Sequence, residues 1–390
     1  MIPYGRQEVT EDDIEAVVEV LRSNLITQGP VAPRFEEAVR DYCRASHAVA
    51  VSSGTAGLHL ACHAMGLGPG DWLWTSPITF VASANCGLYC GADVDFVDID
   101  PATRNMSVEA LKHKLEQAET EGQLPKVVVP VHFAGLSCDM AAIRELADRY
   151  GFWVLEDAAH AFGGEYRGEP VGACRFSDAA VFSFHPVKNI TTGEGGMVTT
   201  RRLELATRIE RLRSHGITRE PAHMIREPDG PWYYEQGELG LNYRLTDIQA
   251  ALGLSQLQRL DTFIQARRNG AVRYSRLLAD LPLILPGESS NSHSAWHLYV
   301  VELGGTDPQA IRREVFEALR EQGWGVNVHY IPVHWQPDYA RECRKLPAAE
   351  AYYSRALTIP LFPGLTEGQQ EAFAVDLSQA IHQARPVGTA

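Results

Sequence analysis

The spacing of apolar residues changes several times along the chain, and each change predicts a different element. Near the start, Thr10 is followed by three acidic residues, a composition typical of a helix N-terminus. Apolar residues then recur at helical spacing: Ile14, Val17, Val18 and Leu21. A loop, SNLITQGPVAP, separates this segment from a second helical one, RFEEAVRDYCRA. The pattern therefore predicts two helices at the start of the chain.

Strand-like and helical segments then alternate. The strand-like segments are HAVAVSS, DWLWTSP, DVDFVDI, KVVVPVHF and FWVLEDA. The helical segments between them are TAGLHLACHAMG, FVASANCGLYCG, SVEALKHKLEQAE and MAAIRELADRYG. Strands that alternate with helices form βαβ units, in which the strands are parallel and the helices cover both faces of the sheet. The sequence therefore predicts an α/β fold.

The pattern changes after Gly196. A charged helical segment, RRLELATRIERLRSHG, precedes a long helical pattern, TDIQAALGLSQLQRLDTFIQARRNGAVRYSRLLADL. An antiparallel unit is predicted to follow: AWHLYVVEL, a helix DPQAIRREVFEALREQG, and GVNVHYIPVH. We place a domain boundary near Leu254, with a large domain at residues 1–254 and a smaller one at residues 255–390. The absence of a Pro-rich linker predicts that the two share a helix.

Composition limits the classes of partner. With 390 residues, 45% of them hydrophobic, the chain has enough apolar material for two lobes. The net charge of -14 argues against a nucleic acid or an anionic membrane as the main partner. The N-terminal sequence lacks the pattern of a signal peptide, and no apolar run is long enough to cross a bilayer. Seven scattered cysteines without a CxxC pair fit a reduced compartment, so we expect a cytoplasmic protein.

One lysine stands out in the stretch VFSFHPVKNITTGEGGMVTT. Lys188 lies in an otherwise uncharged run between a strand-like segment and a glycine-rich turn. Packed surroundings disfavour the ammonium form and lower the pKa of a lysine, which makes the amine a nucleophile toward carbonyl groups. The alternative is a lysine that only caps the end of a strand.

Two further features fall where a parallel sheet binds its ligands, beyond the carboxyl ends of the strands. The segment SSGTAGLHL places hydroxyls and a helix start after a strand, which suits a phosphate; a plain small-residue turn with a Thr55 N-cap is the alternative. Glu156 and Asp157 end a hydrophobic strand, where a carboxylate needs a partner. A protonated ring nitrogen would serve, although an aspartate N-cap is also consistent.

Together these features meet the three demands of pyridoxal 5'-phosphate (PLP). The cofactor needs an anchor for its phosphate, an acid for its ring nitrogen and an amine for its aldehyde. Ser183, two residues before the His-Pro pair, lies near the same edge of the sheet. The sequence therefore indicates a PLP enzyme. His293 and His297 are four residues apart but have no glutamate between them, and the remaining histidines lack the spacing of a metal site, so no metal is expected.

The order of five segments resembles the DegT-type nucleotide-sugar aminotransferases. The segments are GTAG, PITFVASAN, EDAAHAFG, SFHPVKNITTGEGGM and GLNYRLTDIQAALGLSQL, and the resemblance covers nearly the whole chain. It implies the fold type I of PLP-dependent transferases, with a large domain built on a mixed, mostly parallel sheet between helices and a smaller C-terminal α/β domain. The N-terminal sequence and VHYIPVH resemble the branch that aminates a UDP-linked 4-keto-6-deoxy-N-acetyl-L-altrosamine in pseudaminic acid biosynthesis. L-glutamate is the implied amino donor.

The resemblance also implies roles around the cofactor ring. Lys188 would form the Schiff base with PLP and act as the catalytic general base. Asp157 would pair with the pyridine nitrogen, and Phe80 would stack on the ring. His160 would lie beside the ring face or its hydroxyl. A histidine replaces the lysine in dehydratase relatives, so Lys188 argues for amine transfer.

Phosphate and substrate contacts are implied in the same way. Thr55, Ala56 and Ser183 would hold the phosphate, and Asn242 would reach the phosphate of the neighbouring subunit, which implies a homodimer with shared active sites. The positions that would contact the nucleotide sugar are Tyr4, Asn24, Leu25, Ile26, Thr27, His329 and Tyr330.

Three alternatives stay open for the function. The substrate could be another 4-keto nucleotide sugar, either a UDP-pentose or a dTDP- or GDP-linked 6-deoxyhexose. Asn24-Leu25-Ile26 stands where the resemblance predicts an acidic-aromatic pair, and Trp335 and Asp338 also depart from its pattern. A lyase such as a sugar dehydratase would use the same cofactor without passing the amine on. A non-catalytic sensor would keep the fold but would not need Lys188.

Overall fold

Residues 1–304, 308–340 and 345–384 are described in the computed structural model. The strands are β1 (Ile2–Pro3), β2 (His47–Val51), β3 (Trp72–Thr75), β4 (Asp93–Phe96), β5 (Val127–Val129), β6 (Trp153–Asp157), β7 (Glu165–Tyr166), β8 (Glu169–Pro170), β9 (Ala179–Ser183), β10 (Gly196–Thr200), β11 (Ile217–Thr218), β12 (Glu235–Gln236), β13 (Leu283–Ile284), β14 (Ser292–His293), β15 (Tyr299–Leu303), β16 (Trp324–Gly325) and β17 (Ala356–Ile359).

The α-helices in the same ranges are α1 (Glu11–Arg22), α2 (Val31–Cys43), α3 (Gly54–Ala64), α4 (Ala82–Tyr89), α5 (Val108–Glu121), α6 (Met140–Tyr150), α7 (Leu203–Leu212), α8 (Asp247–Leu257), α9 (Leu260–Leu277), α10 (Pro308–Glu321), α11 (Pro347–Arg355) and α12 (Glu367–Gln383). Within these ranges no helix combines the length and the apolar composition that a bilayer-spanning segment needs.

A seven-stranded sheet forms the centre of the large part of the chain. Its order is β2-β10-β9-β6-β5-β3-β4, and all strands are parallel except β10, which is antiparallel to both of its neighbours. Helices α3 and α7 pack on one face, while α2 and the start of α9 pack on the other. The three valines of β5 are fully buried, as a strand covered on both faces requires. The predicted α/β fold with a mixed, mostly parallel sheet is confirmed.

A second core lies in the C-terminal part of the chain. Strand β15 pairs antiparallel with β13 and β17. Its residue Tyr299 packs on Tyr274 of α9, which also contacts Phe373 of α12. The first half of α9 contributes Phe263 to the core under the large sheet, and its second half contributes Tyr274 to this second core. The division into residues 1–254 and 255–390 stays a prediction.

Two predicted elements are wrong in their bounds. The long helical pattern is two helices, because Arg259 leaves helical geometry and binds Thr10 Oγ1 at 2.9 Å and the buried Asp13 Oδ2 at 2.7 Å. In the segment GVNVHYIPVH, only Gly325 belongs to a strand, β16, which pairs in parallel with β1, and Asn327 forms an isolated antiparallel bridge with Thr358. Strand β17 takes the expected place beside β15, and Pro332 cannot donate to a strand ladder.

Candidate active site

A cavity of about 540 Å³ opens at the carboxyl end of the central sheet. The ends of β6 and β9 and the start of α3 form its floor, and residues 327–330 form part of its wall. A pocket at this edge of a parallel sheet is the usual position for a ligand. Nine of the predicted site residues line it: Tyr4, Thr55, Phe80, Asp157, His160, Ser183, Lys188, His329 and Tyr330.

Lys188 lies in the turn that follows β9. Its backbone N–H donates to His185 O at 2.8 Å, which closes the turn, and its side chain lines the cavity. Burial lowers the pKa of Lys188 to about 8, and the negative charge of Asp157 opposes part of this shift. A lysine with a pKa in this range can act as a nucleophile and as a base near neutral pH.

Asp157 ends β6 and is buried at the cavity floor. Its Oδ1 accepts from Ala159 N at 3.1 Å, and its Oδ2 accepts from Ser83 Oγ at 2.5 Å. No helix begins between β6 and β7, which are both fully described, so Asp157 is not an N-cap. A buried carboxylate with two donors is suited to pair with a cationic ligand group.

The start of α3 forms a close crossing with β9 and β10. Ser53 is the N-cap, and its Oγ accepts from Ala56 N at 3.0 Å. A Cβ at Gly196 would lie 2.7 Å from the Ser53 carbonyl carbon, so this approach of backbones requires glycine. The crossing leaves the helix N-terminus and Ser183 facing the cavity, an arrangement that suits an anion. The alternative of a Thr55 N-cap does not hold, because Ser53 occupies that position.

A layer of aromatic rings covers one side of the cavity. His160 Nδ1 accepts from Ala134 N at 3.3 Å, which places the proton on Nε2, 3.2 Å from Tyr330 Oη. Burial, with a contribution from the charge of Lys188, lowers the pKa of His160 well below its ordinary value. His160 is therefore a neutral ring that presents an N–H to Tyr330.

The same wall continues from Tyr330 to the N-terminal segment and to His329, its neighbour in the C-terminal part. Tyr4 packs edge-on against His329 with ring centroids 5.1 Å apart. Burial is the main factor that lowers the pKa of His329 to about 3, and its Nδ1 contacts Thr358 Oγ1 at 2.8 Å. The Phe80 ring is 59% exposed, so its face is free to stack on a planar ligand.

Six predicted site residues lie outside the cavity. The side chain of Ala56 is buried in the core, and its amide is bound to Ser53. The exposed segment 24–27 packs against the start of α8, where Asp247 N donates to Thr27 O at 3.1 Å. Asn242 is exposed and forms a β-bridge with Ser214. Within one subunit, the structure does not bring these residues to Lys188.

Several cavity residues were not predicted from the sequence. Glu194 and Asn327 line the wall, and Ser83 binds Asp157 from beneath it. Ser83 lies four residues after Thr79 within PITFVASAN. This helical spacing could have indicated that the two hydroxyl groups are neighbours. Asn327 lies just before VHYIPVH, and no pattern in the sequence around it indicates that its side chain faces a cavity.

Known proteins match the chain over almost its full length. Residues 7–377 match the DegT/DnrJ/EryC1/StrS aminotransferase family. The chain belongs to this family. It is 41% identical over 372 residues to the spore coat polysaccharide biosynthesis protein SpsC of Bacillus subtilis. The matched region covers 94% of this chain and 93% of SpsC. It is 35% identical to the UDP-4-amino-4-deoxy-L-arabinose–oxoglutarate aminotransferase of Shewanella sediminis, over 97% and 98% of the two chains.

Solved structures of sugar aminotransferases share the fold. PseC of Helicobacter pylori, an aminotransferase of pseudaminic acid biosynthesis, superposes with a TM-score of 0.89 at 30% identity and covers 98% of this chain and 99% of its own. The putative sugar aminotransferase Spr1654 of Streptococcus pneumoniae, in its PMP form, has a TM-score of 0.90 at 28% identity over 99% and 100% of the chains. The predicted family, fold type I and PLP-dependent aminotransferase activity are confirmed.

The cofactor of this sugar aminotransferase is PLP, and the cavity fits it. The α3 crossing offers a helix N-terminus to a phosphate, at a place where a Cβ on Gly196 would collide with backbone. Asp157 has no ion-pair partner within 4 Å among the described residues, so its buried charge suits a protonated ring nitrogen. Lys188 offers an amine to the aldehyde.

We expect the capture of PLP by the cofactor-free protein to depend on the protonation of Lys188. Only the neutral amine attacks a carbonyl, so the capture rate should rise with pH and level off above about pH 8. Stopped-flow absorbance of the developing yellow colour, recorded across a pH series, measures this rate. A rate that keeps rising towards 10.5, the pKa of an ordinary lysine, would contradict the burial of this amine.

Proposed function

We propose that this aminotransferase moves the amino group of L-glutamate to the 4-keto group of a UDP-linked 4-keto-6-deoxy-N-acetyl-L-altrosamine, a step of pseudaminic acid biosynthesis. The observation that carries the amine transfer is the placement of Lys188, with its lowered pKa, in one cavity with the buried Asp157. The similarity to PseC over nearly the whole chain supports this sugar.

The proposed chemistry uses Lys188 as the proton carrier. When bound, PLP supplies a ring that accepts the electron pair left at the reacting carbon. Lys188 Nζ would take the proton from the α-carbon of glutamate. With one water, the glutamate would then leave as 2-oxoglutarate, and its amino group would stay with the cofactor. In the second half-reaction the same lysine amine would deliver a proton to C4 of the sugar, which takes up the amino group while its keto oxygen leaves as water. A base with a pKa of about 8 is half neutral near that pH, so it can both accept and release the proton.

Other residues hold the reacting groups in place. We propose that Asp157 holds the ring nitrogen in its protonated form and that Phe80 covers one face of the ring. Thr55 and Ser183 would bind the phosphate at the α3 crossing, while His160, whose Nε2–H is directed at Tyr330, would lie beside the ring face. Ala56 is proposed to contribute only as part of the helix N-terminus, since its amide is bound to Ser53.

The remaining predicted residues are proposed to divide between two subunits of a homodimer. Tyr4, His329 and Tyr330 line the cavity and would contact the sugar in their own subunit. Asn242 and the segment 24–27 would act in the partner's site, because they are exposed and lie outside the cavity. The apolar side chains of Leu25 and Ile26 are 54% and 44% exposed, which is consistent with an interface.

We also propose a cytoplasmic location. Cys43, Cys62, Cys86, Cys90, Cys138 and Cys174, the cysteines within the described ranges, are free thiols. Free thiols without disulfides are typical of proteins in a reducing compartment. Cys343 lies outside the described residues.

A UDP-linked 4-keto pentose is the second candidate substrate. The relative from Shewanella sediminis carries the name of an L-arabinose enzyme and is 35% identical to this chain. A pentose lacks the C6 methyl group of the altrose derivative, and one methyl group in an apolar pocket changes kcat/KM by roughly 10- to 200-fold. The two sugars should therefore be separable by their rates.

Steady-state rates with a panel of 4-keto sugar nucleotides test the substrate. The panel holds the UDP-linked altrose derivative, a UDP-pentose, and dTDP- and GDP-linked 6-deoxyhexoses, each with L-glutamate as donor. We expect the altrose derivative to have the highest kcat/KM, by about 10-fold or more over the pentose. A higher value for any other sugar would replace the proposed substrate. Ammonia release in place of a 4-amino sugar product would indicate a lyase instead.

A further inference from the structure

Two buried hydroxyl groups connect the aromatic wall of the cavity to Asp157. Thr79 Oγ1 and Ser83 Oγ are 2.6 Å apart, and Ser83 Oγ is 2.5 Å from Asp157 Oδ2. Ser83 is 0% exposed and Thr79 is 3% exposed, so water does not compete for these contacts. The three side chains come from the loop after β3, the first turn of α4 and the end of β6.

The number of available protons fixes the direction of the two hydrogen bonds that join Thr79, Ser83 and Asp157. A serine hydroxyl has one proton, and Ser83 Oγ is 2.5 Å from Asp157 Oδ2 but 3.3 Å from Phe80 O. The proton therefore points to Asp157, and Ser83 can only accept from Thr79. Both hydroxyls donate toward the carboxylate, an arrangement that matches an ionised acceptor. Hydrogen bonds aligned in one direction also polarise one another.

The same segment carries the ring of the cavity wall. Phe80 lies between Thr79 and the helix start at Ala82, and its side chain lines the cavity while its two hydroxyl neighbours turn inward. One short segment thus holds both the face that can stack on a planar ring and the carboxylate that can pair with its nitrogen. Asp157 Oδ1 is held separately by Ala159 N at 3.1 Å, so each carboxylate oxygen has its own donor.

We propose that Thr79 and Ser83 form a positioning relay, in which Thr79 orients Ser83 and Ser83 fixes the charged carboxylate of Asp157 against the cofactor ring beside Phe80. The relay rests on the proposed role of Asp157. Neither hydroxyl touches the reacting atoms. Their contribution would be to hold Asp157 in one orientation before PLP arrives.

A double-mutant cycle tests the relay through PLP affinity rather than turnover. Cofactor-free protein is titrated with PLP, and the Kd is read from the absorbance of the bound cofactor. Ser83→Ala should raise this Kd by roughly 10- to 100-fold, the value of a hydrogen bond to a charged group. Thr79→Val should raise it by about 3-fold, as expected for one neutral hydrogen bond further away. The double variant should equal Ser83→Ala alone, since Thr79 acts only through Ser83.

Matched control variants show how much the PLP Kd changes when a buried hydroxyl group is removed elsewhere in the protein. Ser292 donates to Glu165 O at 3.2 Å, and Thr200, at the far end of β10, donates to Asp178 O at 2.7 Å. Ser292→Ala and Thr200→Val should leave the PLP Kd within about 2-fold of the unmodified protein. Asp157→Asn is titrated alongside them.

Each outcome bears on one statement. The relay is wrong if Ser83→Ala binds PLP with an unchanged Kd, or if the two single effects multiply in the double variant. If Asp157→Asn weakens PLP binding while Ser83→Ala does not, the relay fails and the proposed role of Asp157 survives. If Asp157→Asn leaves the Kd unchanged, the proposed pairing with the ring nitrogen fails. Thr79→Val gives an independent reading should Ser83→Ala not fold.

Discussion

Replacing Lys188 by alanine should abolish amine transfer and leave the fold intact. The lysine is proposed both to bind the cofactor and to carry the proton, and general acid-base catalysis alone is typically worth about 100- to 10,000-fold. Burial lowers the pKa of the Lys188 amine to about 8, which shows that the charged amine is desolvated. Removing this side chain should therefore not destabilise the fold. Formation of 2-oxoglutarate in the presence of glutamate and the keto sugar measures the loss.

Lys126→Ala is the matched control for Lys188→Ala. Lys126 pairs with Asp71 at 2.8 Å and lies outside the cavity, so its removal should change turnover by less than about 2-fold. Thermal unfolding of both variants by circular dichroism checks that the fold is kept. A Lys188→Ala protein that turns over at the rate of the control would overturn the assignment of this residue.

Asp157→Asn should have the second largest effect, a loss in kcat of roughly 100- to 1,000-fold, as for other preorganised charged or polar groups. An amide has nearly the same shape as the carboxylate but cannot hold a protonated ring nitrogen. The ring would then accept the electron pair less well during both half-reactions. Steady-state kcat for the proposed sugar, measured with saturating PLP, reports this loss separately from cofactor affinity.

The control for Asp157→Asn is the same change at Asp71. Asp71 is a half-buried partner of Lys126 that lies outside the cavity, so Asp71→Asn should leave kcat unchanged. Asp157→Glu keeps the charge but moves it by one methylene, and it should recover part of the loss. If Asp157→Asn retains full kcat, the buried carboxylate has no part in the chemistry.

Sequence patterns predict those elements whose structure depends on residues close to one another in the sequence. The valines of β5 and the uncharged run around Lys188 are local signals, and the structure places both as expected. The break between α8 and α9 could not be predicted in this way. It depends on Arg259 reaching the buried Asp13, a residue 246 positions earlier in the chain.

The same distinction holds within the site. Asp157 and Lys188 are unusual in their local sequence, since each is a charged residue beside a hydrophobic strand. In the sequence, Ser83 is an ordinary small residue of a helical segment. Its contact with Asp157 depends on the position of α4 beneath the end of β6. Asn242 and the segment 24–27 are exposed in the single chain. In the proposed homodimer they would contact the partner subunit, and the fold of one chain cannot show such a contact.

A single-turnover colour assay tests the central statement most directly, namely that the amine passes through the cofactor at Lys188 to a 4-keto nucleotide sugar. The PLP-loaded protein is treated with L-glutamate, freed of glutamate, and mixed with the UDP-linked altrose derivative. The account predicts that glutamate bleaches the yellow colour and that the keto sugar restores it in stoichiometric amount, with the 4-amino sugar as product. A protein that never bleaches with glutamate, or that no 4-keto sugar nucleotide returns to yellow, would contradict it.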